Sequence, residues 1–325
     1  MKIFQASYGL DTDTGKSLLA KVLSLFQLFQ VMEFSQEPFS YLTYPAKPDV
    51  GDDDNSARVI NADAKKFTYA PTSGSGTQRA YSFEYWIDAA YLADLKIGAI
   101  TNEGLRRQLQ NEQLRLFVKL ASDVLYDMMN GDGAAPHILG LKTFIKDTAD
   151  ETGQTSVFGF TQAQLFSSLV QVSMTLDLNN VVQLRKFDEL LTRVLAEMAG
   201  SPTLVMNSLV FARMTQIAKV LNMYGTTLSD FGKPIDMYGN YKMVPVPLKY
   251  LPNTETDGEN TDLNSIFVID YDEATGVRYA TNTGFAFQDF DVVSETPSGK
   301  TRADFVGNLK CEDIKQIRRL SRIKL

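Results

Sequence analysis

Residues 102–131 carry one apolar stripe long enough for a single helix, and a rod of that length dictates what can be built around it. Leu114, Phe117, Val118, Ala121, Val124, Leu125 and Met128 fall at the i, i+3, i+4, i+7 spacing of one buried face. Leu105 and Leu109 extend the stripe upstream. The opposite face carries Arg106, Arg107, Gln110, Glu112, Arg115 and Lys119. Asn102 is the expected N-cap, because its side-chain oxygen can accept from an orphan amide of the first turn. Asn130-Gly131 is the expected stop. At ~1.5 Å per residue the rod is ~40 Å long, enough to cross a whole domain. Such a helix reads as a structural spine.

The chain before the spine reads as an arm and a hairpin. Thr14 to Gln30 predicts a helix with Leu18, Leu19, Val22, Leu23, Leu25, Phe26 and Phe29 apolar. So wide an apolar face needs a covering neighbour. Phe39 to Asp54, with Pro45, Pro48 and Asp52-Asp53-Asp54, reads as an extended strap. Residues 57–70 and 77–86 predict two strands; in the second, Tyr81, Phe83 and Tyr85 alternate with Ala80, Ser82 and Glu84. Pro71-Thr72-Ser73-Gly74-Ser75-Gly76 between them reads as a flexible tip. A lone two-stranded hairpin is marginal in water. Arg58, Lys65, Lys66, Arg79, Tyr81 and Phe83 are the side chains it is expected to offer as assembly contacts.

After the spine, Ile138 to Ile145 predicts a short strand. Thr161-x-x-Gln164 spells a capping box ahead of a helix burying Leu165, Leu169, Val172 and Leu176. A second helix runs from about Val182 to Met198 and ends at Gly200-Ser201-Pro202. Thr203 to Met206 is a buried strand; Ser208 is the expected cap of a helix through Asn222, closed by Gly225. From Ile235 the period changes to two, with strands expected over 243–248, 265–271, 277–280, 284–293 and 301–310. Hairpin, long helix, helical group and then strands make an α+β chain.

Little in the sequence supports catalysis. Gly9 to Ser17 nearly spells a phosphate-binding loop, but five residues separate Gly9 from Gly15-Lys16-Ser17 where four are required. Asp11 and Asp13 also put negative charge where phosphate would lie. Asp52-Asp53-Asp54 lacks the alternate spacing of a Ca2+ loop, and Gly74-Ser75-Gly76 is no nucleophile elbow. The one His, His137, excludes a multi-His metal centre and reads as a loop residue beside Pro136. The single Cys, Cys311, has no internal disulfide partner. Glu312-Asp313 and Asp289/Asp291 read as surface acids, and Trp86 as packing. No catalytic, cofactor-binding or metal residues are expected. With 32 Lys and Arg against 39 acids, the net charge of −7 argues against nucleic acid as the main ligand, although the segment after Lys310 is basic. The run Leu18 to Phe34 is too polar to span a bilayer.

The C-terminal third resembles the major capsid proteins of tailed phages. Ser265-Ile266-Phe267-Val268-Ile269-Asp270 with Thr275-Gly276-Val277 is similar to that family's strand, loop and Gly-Val run. Ala286-Phe287-Gln288-Asp289-Phe290 and Lys300 to Lys310 resemble its next strands. Asp313 to Leu320 with Ile323 resembles its closing short helix. Val205-Met206-Asn207-Ser208 and Tyr238 to Val246 are similar to its earlier strand-to-helix and glycine-turn segments. The resemblance implies an α+β fold of the Hong Kong 97 type. It assigns an N-terminal arm to 1–50, an extended hairpin or E-loop to 51–88, a peripheral domain with the spine helix to 89–150 and 291–325, and an axial domain to 151–290. It implies an icosahedral virion shell of hexamers and pentamers, assembled in the host cytoplasm around double-stranded DNA without sequence-specific contacts. It also implies no enzymatic activity, no cofactor and no membrane; scaffolding, portal and decoration proteins are the implied partners. Lys65 and Lys66 match no cross-linking motif, and no fused scaffold is expected ahead of Met1. The alternatives are an encapsulin-type compartment, a nucleotide-binding cytosolic enzyme resting on Gly15-Lys16-Ser17, and another virion part such as a portal or tail tube.

Overall fold

A computed structural model describes residues 13–43, 73–88, 103–170, 176–198, 200–271, 276–292 and 298–325. The arm comes first. Helix α1 (Asp13–Leu25) and the single turn α2 (Leu28–Val31) lead into strand β1 (Phe34–Gln36). Leu18, Leu19, Val22, Leu23, Phe26, Leu28 and Phe29 are all buried. What covers them is the chain's own body: Phe26 meets the Tyr250 ring edge-on at 5.7 Å, and Phe29 meets Phe285 at 5.5 Å. The covering neighbour is therefore the chain's own body, not the adjacent subunit that the capsid resemblance implies. The spine helix presents an apolar stripe of its own, and the two stripes satisfy each other within one core.

Strands β2 (Ser40–Thr43), β3 (Gly74–Thr77) and β4 (Arg79–Asp88) follow, then the spine helix α3 (Glu103–Asn130). Asn102, its expected cap, lies outside the described residues, as does the side chain of Leu105. Phe117, Ala121, Val124, Leu125 and Met128 are buried as the periodicity requires, joined by Leu120 and Met129; Leu114 and Val118 are half-buried at the stripe's margin. Ser122 also lies on the buried face, its hydroxyl 2.8 Å from that of Tyr250. At the C-terminal end the Asn130 amide donates to Tyr250 O at 2.5 Å.

The stretch Ile138–Ile145 is not a strand. Leu139 makes one bridge to Asp132, and helical turn α4 (Leu141–Phe144) follows. Ile138, Leu141, Phe144 and Ile145 bury on one side at helical spacing. The capping box forms as its spacing demands, with the Thr161 hydroxyl on Gln164 N and the Gln164 carbonyl on Thr161 N. Its helix α5 (Gln162–Ser167) is shorter than expected and passes into strand β5 (Leu169–Val170); Val172 lies outside the described residues and Leu176 begins strand β6 (Leu176–Asp177). Helix α6 (Val181–Glu197) buries Phe187, Leu191, Val194 and Leu195 and is capped by Asn180.

Strand β7 (Thr203–Asn207) runs into helix α7 (Ser208–Val220), whose cap is Asn207 rather than Ser208: its Oδ1 accepts from Leu209 N and Val210 N. The helix closes at Asn222, which takes φ +56°, while Met223 N reaches back to Ala218 O at 2.8 Å. Gly225 belongs instead to strand β8 (Tyr224–Leu228). Then come β9 (Pro234–Tyr238), β10 (Tyr241–Val246), β11 (Asn264–Ile269), β12 (Val277–Val292), β13 (Ser298–Cys311) and β14 (Ile317–Lys324).

Two larger sheets organise these strands. The first has the order β1-β12-β13-β4 and lies against α3; the second has the order β5-β14-β11-β7-β10-β9-β8, with β6 also on β14. Alternation decides the layering of the second sheet. Leu204, Met206, Ile266 and Val268 face α6 and α7, whereas Val205, Phe267 and Ile269 face the core shared with the arm and spine. A sheet buried on both faces reads as continuous apolar runs.

Strand β12 begins at Val277 and pairs within the spine's sheet, whereas β14 pairs with β11 and β5 in the other one. One expectation changes here: the end of the chain is not a helix, beyond the single 3-10 turn Ile314–Gln316. Ile314, Ile317, Leu320 and Ile323 are three apart, which mimics a helical face, but in the strand Ile317 packs into the core shared with the arm and spine, whereas Leu320 and, past a bulge with Arg322 at φ +62°, Ile323 face α6 and α7.

Candidate assembly surfaces

The hairpin's root is anchored by buried hydrogen bonds and an ion pair. Strands β2 and β3 pair from Ser40↔Thr77 to Thr43↔Gly74, so residues 44–73 leave and re-enter at one end of this ladder. Tyr41 OH donates to Leu309 O at 2.7 Å, and Thr43 Oγ1 to Phe158 O at 2.9 Å. Gln78 donates to Glu37 O and Pro38 O at 2.9 and 3.1 Å, and the Lys310 ammonium pairs with Glu37. On the outward side Phe39 and Leu42 are each 52% exposed.

Gly74-Ser75-Gly76 is therefore a strand, not a flexible tip; Pro71 and Thr72 lie outside the described residues. The glycines serve close approach. A Cβ on Gly74 would lie 2.1 Å from the carbonyl carbon of Phe158, and one on Gly76 would lie 2.4 Å from the Tyr41 ring. Phe158 itself holds φ +54° in the turn Val157–Phe160 that seats the ladder. Gly74→Ala meets main chain that cannot rotate away and is expected to cost about 1–3 kcal/mol through overpacking. Denaturant unfolding measures it; an unchanged midpoint would mean the ladder is not seated on this turn.

Of the six side chains named from the sequence, Arg58, Lys65 and Lys66 lie outside the described residues. Arg79, Tyr81 and Phe83 face the chain's own body. Arg79 donates to Gly133 O at 2.7 Å and to His137 O at 3.2 Å. Tyr81 OH donates to Asp127 Oδ2 at 2.5 Å, and burial raises its pKa together with that bond. Phe83 is half-buried beneath the Lys119 ammonium, 5.9 Å from its ring centroid. Strand β4 pairs along all ten of its residues with β13; residues 57–70, its expected partner, lie outside the described residues. Alternation in β4 was legible, but the face that points out is the other one: Ala80, Ser82, Glu84 and Trp86. There Lys300 sits 5.4 Å over the Trp86 ring and 3.3 Å from the Glu84 carboxylate, which Arg302 also approaches at 3.7 Å.

A second surface went unread in the sequence. Strand β8 is an edge of the eight-stranded sheet. Around it Val220 is 80% and Leu228 68% exposed, with Leu221, Met223 and Tyr224 also exposed. Clustered exposed apolar side chains beside a sheet edge mark an interaction surface. The available signal was Val220-Leu221 continuing past the polar end of α7 into the alternation of Tyr224, Thr226 and Leu228.

The remaining acids and the near-miss loop have structural places. Gly15-Lys16-Ser17 lies within α1, while Gly9 to Thr12 and Asp52-Asp53-Asp54 are outside the described residues. Glu312 pairs with Arg278 at 2.8 Å and Lys310 at 3.3 Å, and Asp313 caps the 3-10 turn through Lys315 N. Burial pushes the Cys311 thiol far up in pKa, which disfavours the reactive thiolate. Among the described residues no group of three or more His, Cys, Asp or Glu side chains could hold a metal, and no helix is long and apolar enough to cross a membrane.

No protein-family model and no curated protein matches the sequence. Solved structures do match. The capsid subunit of Cyanophage A-1(L) superposes with a TM-score of 0.59 at 13% identity, over 92% of this chain and 92% of that one. The capsid of a native GTA particle gives 0.55 at 16% identity, over 92% and 90%. The SrpI encapsulin of Synechococcus elongatus PCC 7942 gives 0.53 at 14% identity, over 92% and 87%. The fold is the Hong Kong 97-type capsid fold, in the α+β class that the order of elements implied.

Proposed function

We propose that the chain is the major capsid protein of a tailed phage, assembling through hexamers and pentamers into an icosahedral shell around double-stranded DNA. The observation that carries this reading is whole-chain agreement with a phage capsid subunit, 92% of each chain. The exposed apolar edge at β8 and the outward Phe39 and Leu42 support it, since a shell subunit keeps surface for its neighbours. The work is mechanical rather than enzymatic, and its place is the virion shell, built in the host cytoplasm. The net charge of −7 suits a container that holds DNA without binding its sequence. Scaffolding, portal and decoration proteins are its further partners. In this reading residues 44–73 form the E-loop, α3 with the four-stranded sheet the peripheral domain, and the eight-stranded sheet with α6 and α7 the axial domain.

An encapsulin-type compartment is the second reading, favoured by the agreement with the SrpI shell at a TM-score of 0.53. The contents separate the two: nuclease-protected double-stranded DNA for one, enclosed protein cargo for the other.

Electron microscopy of the purified chain tests the shared claim. Closed shells or capsomer rings are expected; a monomer at all concentrations would overturn it. A sharper variant replaces residues 44–73 by Asn-Gly. Thr43 and Gly74 are paired, so a two-residue turn closes the ladder without strain. That variant is expected to fold and to form no closed shells; normal shells from it would remove the hairpin from the proposal.

A further inference from the structure

The loop Gly131–Leu139 joins the spine helix to α4 and is gripped from two sides. From β4, Arg79 donates to the carbonyls of Gly133 and His137, and Tyr81 OH accepts from Ile138 N at 3.0 Å. From the spine, Asp127 Oδ2 lies 2.8 Å from His137 Nδ1 and takes the Tyr81 hydroxyl on the same oxygen. The Asp127 side chain is 9% exposed while that of His137 is 49% exposed, so a nearly buried carboxylate faces an imidazole in free exchange with water. Asp132, in the same loop, accepts from Ala134 N at 2.9 Å. Asp127, Asp132, Arg79 and Tyr81 are the charged and titratable groups around the ring.

We propose that His137 is a proton-operated fastener, locking this loop and with it strand β4 onto the spine helix. When protonated, the ring sets a cation against Asp127 and donates to it. When neutral, its Nδ1–H can still donate, but the charge that offset the carboxylate is gone and Tyr81 is left as the stronger partner. The hydrogen bond to Asp127, then its charge, hold the proton and raise the pKa of His137 above its ordinary value. The sign follows. The fastening is fully present below about pH 6.5, the ordinary histidine value, and is lost as pH rises through the raised one. Acid tightens the joint; alkali loosens it. Because β4 pairs along its length with β13, the joint reaches the whole four-stranded sheet. The device lies within one chain and holds whether or not the chain forms shells.

His137 is the only histidine, so its imidazole resonances titrate alone. The expected midpoint lies above that of a free imidazole and falls back in Asp127→Asn. Amide exchange of Gly133, Ala134, Ile138 and Leu139, corrected for intrinsic rates, is expected to be several-fold faster at about pH 8.5 than at about pH 5.5. His137→Gln, on the exposed side of the pair, keeps the fold even where Asp127→Asn does not, and is expected to abolish that difference. A wild-type midpoint at or below the free value, or an equal pH difference in His137→Gln, would overturn the proposal.

Discussion

A chain lacking residues 1–34 is expected to lose its fold, not merely its capacity to associate. The described part of the arm buries ten large apolar side chains: Leu18, Leu19, Val22, Leu23, Phe26, Leu28, Phe29, Val31, Met32 and Phe34. At roughly 1.5–3 kcal/mol each, their burial matches or exceeds the whole net stability of an ordinary domain, about 5–15 kcal/mol. Removal also uncovers Phe285, Tyr250 and the arm-facing stripe of the spine. Far-UV circular dichroism and thermal unfolding are the measurements. The truncated chain is expected to show no cooperative transition near that of the full chain. As a milder probe, Phe29→Ala is expected to cost about 3–5 kcal/mol. A truncated chain that melts cooperatively at the native temperature would show that the arm is a detachable strap after all.

Breaking the ion pair under the loop before β11 is expected to be nearly as damaging. Arg319 donates to Glu255 at 2.7 Å, with side chains 3% and 8% exposed. It also donates to Ser265 Oγ at 3.0 Å and to Ile145 O at 2.5 Å. Glu255 further accepts from Ser265 at 2.6 Å and lies 3.6 Å from Lys142, whose pKa burial lowers. One guanidinium thus ties β14, β11, α4 and the loop together. Arg319→Met leaves Glu255 desolvated, with the neutral Ser265 hydroxyl as its close donor and the more distant Lys142 as the cation facing it. A single break in such a pair costs about 3–5 kcal/mol. Much of that loss reflects the stranded charge, so the double variant Arg319→Met/Glu255→Gln is expected to be less destabilised than the two single changes summed. Denaturant unfolding of all four chains measures it. A loss below about 1 kcal/mol in Arg319→Met would mean that water reaches Glu255 and screens it.

The two residues of that pair show where reading a sequence stops. Nothing local marks Arg319 for burial: it lies in the stretch that resembles a closing short helix, and arginine is seldom buried. Only the pairing of β14 between β11 and β5 takes Arg319 out of water, and only the loop carrying Glu255 supplies its counter-charge. Likewise, Gly74-Ser75-Gly76 reads as a flexible tip in isolation. Its actual use, close approach to Phe158 and Tyr41, depends on residues 84 and 35 positions away. The exposed apolar edge at β8 went unread because its signal, Val220-Leu221 running into a short alternation, looks like any helix end until the sheet order places that strand at an edge.

What the sequence determined alone was local. The spine helix, the Thr161–Gln164 capping box, the buried faces of α6 and the alternation in β4 follow from periods of 3.6 and 2, which neighbouring residues impose on one another. The α+β class was legible too, through the order of those elements, while the Hong Kong 97 type rested on the resemblance of its motifs. Tertiary structure decided everything that needed a distant partner: that the arm is covered by its own spine, that β14 is a strand in the second sheet, and that Tyr81 faces inward while Trp86 faces out. The physical reason is that amphipathy specifies how a segment divides into two faces but not what covers either one. That choice is made by long-range packing, in which a face is satisfied by whichever apolar surface the whole chain can bring to it.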